Sequence, residues 1–150
     1  MELELGVKAI LQYKGPAEDY KDKILFLKRS RKYTPDNVAF YWTFPGGRIN
    51  FGEEPLEGLE REVLHETGLH ISDKVRILDA SPVFIDENKQ IVRITYHCII
   101  KDNVVKLDGE HTDYRFLTRE EGLLLKPKDR RVNEALIALP YHIENIYNEH

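Results

Sequence analysis

The stretch "GRINFGEEPLEGLEREVLHETGL", residues 47–69, joins a glycine-containing loop to a run crowded with ionisable groups. Pro55 suits the first turn of a helix. Leu56, Leu59 and Val63 recur at spacings of three and four, which is one helical face, and Gly68 supplies a cap. A helix is therefore predicted over residues 56–67. At about 100° per residue, Glu66 and then Glu62 fall at the border of the apolar stripe. His65 lies further round, and Arg61 is nearer the opposite face. Like charges four apart cost an isolated helix roughly 0.2–0.5 kcal/mol, and partial burial raises that cost, so a cation should neutralise the pair. The single guanidinium of Arg61 does not easily reach both carboxylates. A divalent cation does: Mg²⁺ takes a few carboxylate oxygens and keeps several waters. The upstream "FPGGR", residues 44–48, lets a loop carbonyl approach a metal and glycine N–H groups approach an anion. The competing reading is a solvated acidic face, since six acids lie between Glu53 and Glu66.

Outward from this stretch, strands are read at 3–14, 24–30, 74–85, 90–101 and 113–118, with a further one through "YWTF", residues 41–44. Residues 31–40 are read as loop. Thr118 and Glu121 have capping-box spacing for a short helix, and residues 128–150 form a terminal helix kinked or divided near Pro140. The sum is a mixed sheet with helices against it, in one α+β domain spanning 1–150. Hydrophobic residues make up 41% and charged residues 32%, an ordinary balance for a soluble domain. A net charge of −4 argues against a broad grip on a nucleic-acid polymer, although a local basic cluster can still hold a small anion. The opening "MELELG" lacks a basic region followed by an apolar one, and no apolar run is long enough to span a membrane. The lone Cys98 points to a reducing, cytoplasmic setting.

The same stretch resembles the Nudix hydrolase box. Gly47, Glu53, Arg61, Glu62, Val63, Glu66, Gly68 and Leu69 fall in register with it. His65 departs, standing where the pattern has the first glutamate of a Glu-Glu pair. The lead-in "WTFPGG", residues 42–47, is similar to the family's entry to the box. The resemblance implies an α/β/α Nudix sandwich and Mg²⁺-dependent hydrolysis of a nucleoside diphosphate linked to another group, with Mn²⁺ as a substitute. It implies that Glu62 and Glu66 bind the metal, that Gly47 offers its carbonyl, that Arg61 holds Glu62, and that Glu53 supports the loop–helix junction and the metal.

Metal-bound glutamates are poor bases, so a further acid from a loop is expected, with Glu110 ahead of Glu87. Arg29 is a candidate phosphate ligand and Gly46 a candidate anion contact. Trp42 and Phe44, with Tyr41 and Phe84, are candidate stacking partners for a base. His65 is expected either to contact substrate phosphate or to weaken any additional metal. His97 and Cys98, adjacent on a strand, point to opposite faces and make poor partners. His111, His142 and His150 show no metal-ligand spacing. The partner is a small nucleotide, and a homodimer is compatible with this reading. The alternative is a non-catalytic domain of the same family that senses a nucleotide.

Overall fold

The computed structural model describes residues 1–30, 41–129 and 131–142. The chain forms strands β1 (Glu2–Tyr13), β2 (Ile24–Arg29), β3 (Tyr41–Thr43) and β4 (Gly46–Arg48), followed by helix α1 (Pro55–Thr67). Strands β5 (Val75–Ile85), β6 (Lys89–Ile100) and β7 (His111–Leu117) come next, then helices α2 (Arg119–Leu124) and α3 (Val132–His142). The seven strands make one mixed sheet ordered β3-β2-β1-β6-β5, with β4 paired to β1 and β7 to β2. The β1–β6 pair is parallel along the whole of β1, and the other pairs are antiparallel.

Strand alternation sends side chains to two cores. Val7, Ala9 and Leu11 of β1 join Tyr96 and Cys98 of β6 and Leu59 and Val63 of α1 on one face. Ile10, Phe26, Trp42 and Phe44 join Val132, Leu136 and Leu139 of α3 on the other. The sheet is thus sandwiched between α1 and the α2–α3 pair. No helix among the described residues is long and apolar enough to cross a membrane.

Most predicted elements are present within one or two residues, including the capping box of α2, where Thr118 and Glu121 bond reciprocally. Helix α1 ends on Gly68 in the left-handed conformation at φ 73. Some expectations are corrected. Leu56 has the right angle for the buried stripe but sits in the first turn and is 43% exposed. The core begins one turn later, with Gly58 and Leu59, and runs through Val63 to Glu66 and Thr67. The glycine loop contains the short strand β4. Helix α3 runs through Pro140 to His142, and the predicted helix beyond it lies outside the described residues, as do 31–40 and His150. His97 is buried and its Nε2 meets the Gln12 Oε1 at 2.8 Å, whereas Cys98 packs into the α1-side core. Burial pushes the Cys98 thiol far above its ordinary range, so it is not a nucleophile.

Candidate active site

The site forms where β4 crosses β1 beneath α1. Lys8 pairs with Gly46 and Val7 with Gly47, which brings the loop backbone against the helix. Gly46 holds φ +149, and its N–H donates to Glu66 Oε1 at 2.7 Å. Gly47 touches the other carboxylate: a methyl group there would lie 2.7 Å from Glu62 Oε2. The two glycines therefore seat one glutamate each.

Glu66 is only 3% exposed. Burial pushes its pKa up to about 7, while Lys8 and the Gly46 N–H pull the other way. Lys8, itself buried, donates to the Phe44 carbonyl at 3.0 Å, and desolvation brings its pKa down to about 8. An ionised Glu66 is thus costly in the free protein, which is the state that a cation relieves.

Arg61 works as a fork. Its Nε and Nη2 donate to the two oxygens of Glu53 at 2.8 and 3.0 Å, its Nη1 donates to Glu62 Oε1 at 2.6 Å, and Nη2 also reaches the Arg48 carbonyl at 3.1 Å. Glu53 also accepts from the Asn50 N–H, and its hydrogen bonds, Arg61's first, hold its pKa down at about 2. Both Glu53 oxygens are therefore engaged with the loop and Arg61, and Glu53 braces the guanidinium. An ammonium cannot reproduce this planar fork. Arg61→Lys is expected to lower kcat/KM about 10–100-fold, the range for removing a residue that orients a metal ligand. Steady-state kinetics beside a thermal melt would check this, the melting curve shifting little.

A cleft of about 420 Å³ opens over these groups and is lined by Glu62, Glu66, Glu110 and Tyr41. Four cations line it too: Lys8, Arg29, Arg48 and Arg93. Arg93 is held by Asp129 at 2.9 Å, and Asp129 in turn meets the Thr43 hydroxyl and the Arg131 N–H. The structure so brings Glu62, Glu66, Gly46, Gly47, Arg29 and Glu110 together. It separates others from them. Trp42 and Phe44 fill the α3-side core, and the Arg115 guanidinium lies 4.8 Å from the Trp42 ring centre. Their rings are consumed by packing, which corrects the stacking expectation. Gly46 lines the cleft and spends its N–H on Glu66. His65 is exposed on α1 and does not line the cleft. Glu87 sits exposed in the β5–β6 turn.

Sequence reading missed Asp108, and it set His111 aside for want of ligand spacing, which the fold corrects. With Glu66 they offer one ligand atom each, all within 4.8 Å of one another; Glu62 is not part of that trio, and its Oε1 accepts from Arg61 Nη1. The available signal was "LDGEH", where Asp108 stands two residues before the acid already singled out. It also missed Lys8, Arg48 and Arg93. For Lys8 the signal was a lone lysine in the apolar run "GVKAIL".

Residues 16–139 match the NUDIX domain, and the chain belongs to that family. It is 30% identical over 80 residues to a MutT-like protein of Streptomyces ambofaciens, covering 53% of this chain and 49% of that one. It is 34% identical over 82 residues to an RNA pyrophosphohydrolase of a Nitratiruptor species, covering 53% and 48%. The chain spans about half the length of these curated relatives. The structure of the MutT protein from Methanosarcina mazei Go1 superposes with a TM-score of 0.71 at 25% identity, over 97% of this chain and 96% of that one.

Proposed function

We propose that the protein is a divalent-metal-dependent hydrolase that cleaves the diphosphate linkage of a nucleoside diphosphate bonded to a further group, releasing a nucleoside monophosphate. The observation that carries this reading is the cleft, where three carboxylates and four cations line one space of about 420 Å³. Its relatives' names, MutT-like protein and RNA pyrophosphohydrolase, agree with that class of reaction.

The donor set fits a hard cation. Glu66 is buried with its pKa raised, and Glu62 lies against the Gly47 backbone. Oxygen donors of this kind suit Mg²⁺, with Mn²⁺ as a substitute. Glu62, Glu66 and the Gly47 carbonyl would hold it, with Asp108 close to Glu66. When bound, it would neutralise phosphate charge and acidify a coordinated water.

The chain's own groups do the rest. Lys8, Arg29, Arg48 and Arg93 take up the charge of the phosphates and hold the linkage in place. Glu110 accepts a proton from the attacking water. The water oxygen bonds to phosphorus, the bridging P–O bond breaks, and its electron pair leaves on the departing phosphate. Arg61, braced by Glu53, keeps Glu62 aimed. The lone, buried Cys98 agrees with a reducing, cytoplasmic setting.

A substrate panel tests this reading: nucleoside triphosphates, oxidised triphosphates, ADP-ribose, nucleotide sugars, dinucleoside polyphosphates and a 5′-triphosphorylated RNA, each with Mg²⁺ and with EDTA. Release of a nucleoside monophosphate, or of a 5′-monophosphate end from the RNA, is expected with Mg²⁺ and absent with EDTA. Tight binding of one compound without turnover of any would establish a nucleotide sensor instead.

A further inference from the structure

We propose that His111, through its hydrogen bond to Asp108, is a positioning residue that holds Glu110 in the cleft. This rests on the role given to Glu110 above.

The chain enters β7 through the turn Asp108–Gly109–Glu110–His111. Glu110 lines the cleft, while His111 is 3% exposed and is not among the residues that line it. The His111 Nδ1 meets Asp108 Oδ1 at 2.8 Å, closing the turn across the residue that carries the acid. Burial lowers the His111 pKa, so the ring is neutral near pH 7 and its one proton belongs on Nδ1, facing the carboxylate.

Three further observations point the same way. The His111 Nε2 is buried with no hydrogen-bond partner among the described residues. The one hydrogen bond of the imidazole among the described residues is therefore that of Nδ1 with Asp108. Backbone hydrogen bonds hold the segment before the turn and at Glu110 itself. Upstream, the Lys106 N–H bonds the Thr67 carbonyl at the end of α1. Downstream, the Ser30 N–H bonds the Glu110 carbonyl at 3.1 Å. Between them Gly109 faces open space, and the Asp108–His111 bond spans it. Finally, the β2–β7 register shifts between Lys28 and Arg29, opposite the start of β7. Such a bulge re-aims the side chains beside it. Asp108 also lies within 4.8 Å of Glu66, so the turn is gauged directly against the helix carboxylate.

The test is a double-mutant cycle between His111 and Glu110, using the compound best hydrolysed in the panel, with Mn²⁺ binding followed by electron paramagnetic resonance. His111→Ala is expected to lower kcat about 10–100-fold, as misplacement of a reacting group by about 1 Å does. KM and Mn²⁺ affinity should change less than about twofold. In a Glu110→Gln background the same substitution should cost nothing further. His111→Asn, whose amide can reach Asp108 as Nδ1 does, should recover most of the loss. Equal losses in both backgrounds, no loss in either, or loss of a bound Mn²⁺ would each overturn the positioning role, the last by making His111 a ligand. Should His111→Ala melt without cooperativity, Asp108→Ala breaks the same bond from a less buried position and is read in the same cycle. An inactive Glu66→Gln beside a fully active His111→Ala overturns this inference alone. A fully active Glu66→Gln overturns the functional reading on which it rests.

Discussion

Glu66→Gln is expected to lose about 10³-fold in kcat with the fold retained. Charge stabilisation by a catalytic cation is worth several kcal/mol, and each 1.36 kcal/mol is tenfold in rate. The amide keeps the shape of the carboxylate and can still accept from the Gly46 N–H, so activity and folding separate in this variant. Steady-state rates and a circular-dichroism melt suffice to check it, and near-normal turnover would remove Glu66 from the metal site.

The same variant reports on pH. Glu66 rises from 4.5 to about 7 on folding, so the folded chain binds more protons than the unfolded chain between those values. Its contribution to stability is therefore full below about pH 4.5 and is lost as pH rises through about 7. By pH 8 the loss approaches about 3 kcal/mol, from roughly 2.5 units at 1.36 kcal/mol each. Metal-free urea titrations at pH 5 and 8 should show wild type losing stability relative to Glu66→Gln by most of that amount, since the loss begins just below pH 5. Lys8, brought down to about 8 by burial, titrates at the upper edge of this window. Without the Glu66 charge it falls further, which makes the variant gain stability with pH and adds to the difference with the same sign. Equal slopes in the two proteins would show that Glu66 is not held in its protonated state.

Gly46→Ala should be the most damaging change to the fold. At φ +149 a side chain is strained, and a methyl group would stand 2.0 Å from the Val7 carbonyl oxygen and 2.8 Å from the Lys8 Cα. Both neighbours are backbone of the central strand and cannot rotate away. Relief requires separating β4 from β1, which loses the pairing and the Gly46–Glu66 hydrogen bond together. A destabilisation of about 4 kcal/mol or more is expected, at the extreme of single substitutions. It would be visible as loss of soluble expression or a collapse of the urea midpoint. A variant within about 1 kcal/mol of wild type would mean that the β1–β4 contact is looser than described.

The parts of the site legible in the sequence are those built by local chain geometry. Glu62 and Glu66 are one turn apart on any helix, and Pro55 and Gly68 mark that helix in any context. The register of the box then places Arg61 and Gly47. The misreadings share a cause. Trp42 and Phe44 look alike as core residues and as base platforms, because an aromatic ring serves both, and only the packing of α3 against them decides. Leu56 has the angle of a buried residue but lies beyond the end of the core, a limit that helical periodicity does not contain.

By itself, then, the sequence determined the family, the acidic helix and the glutamates on it, because those depend on residues close together in the chain. Tertiary structure alone decided what surrounds them. Parallel pairing with β6 sets Arg93 beside Gly6, β4 sets Gly46 beside Lys8, and β7 sets His111 beside Arg29. These contacts join residues far apart in the chain through backbone hydrogen bonds whose register no short motif encodes. The placement of His65, the one departure from the box, was decided the same way: the fold leaves it exposed on α1 while the cleft opens over Glu62 and Glu66.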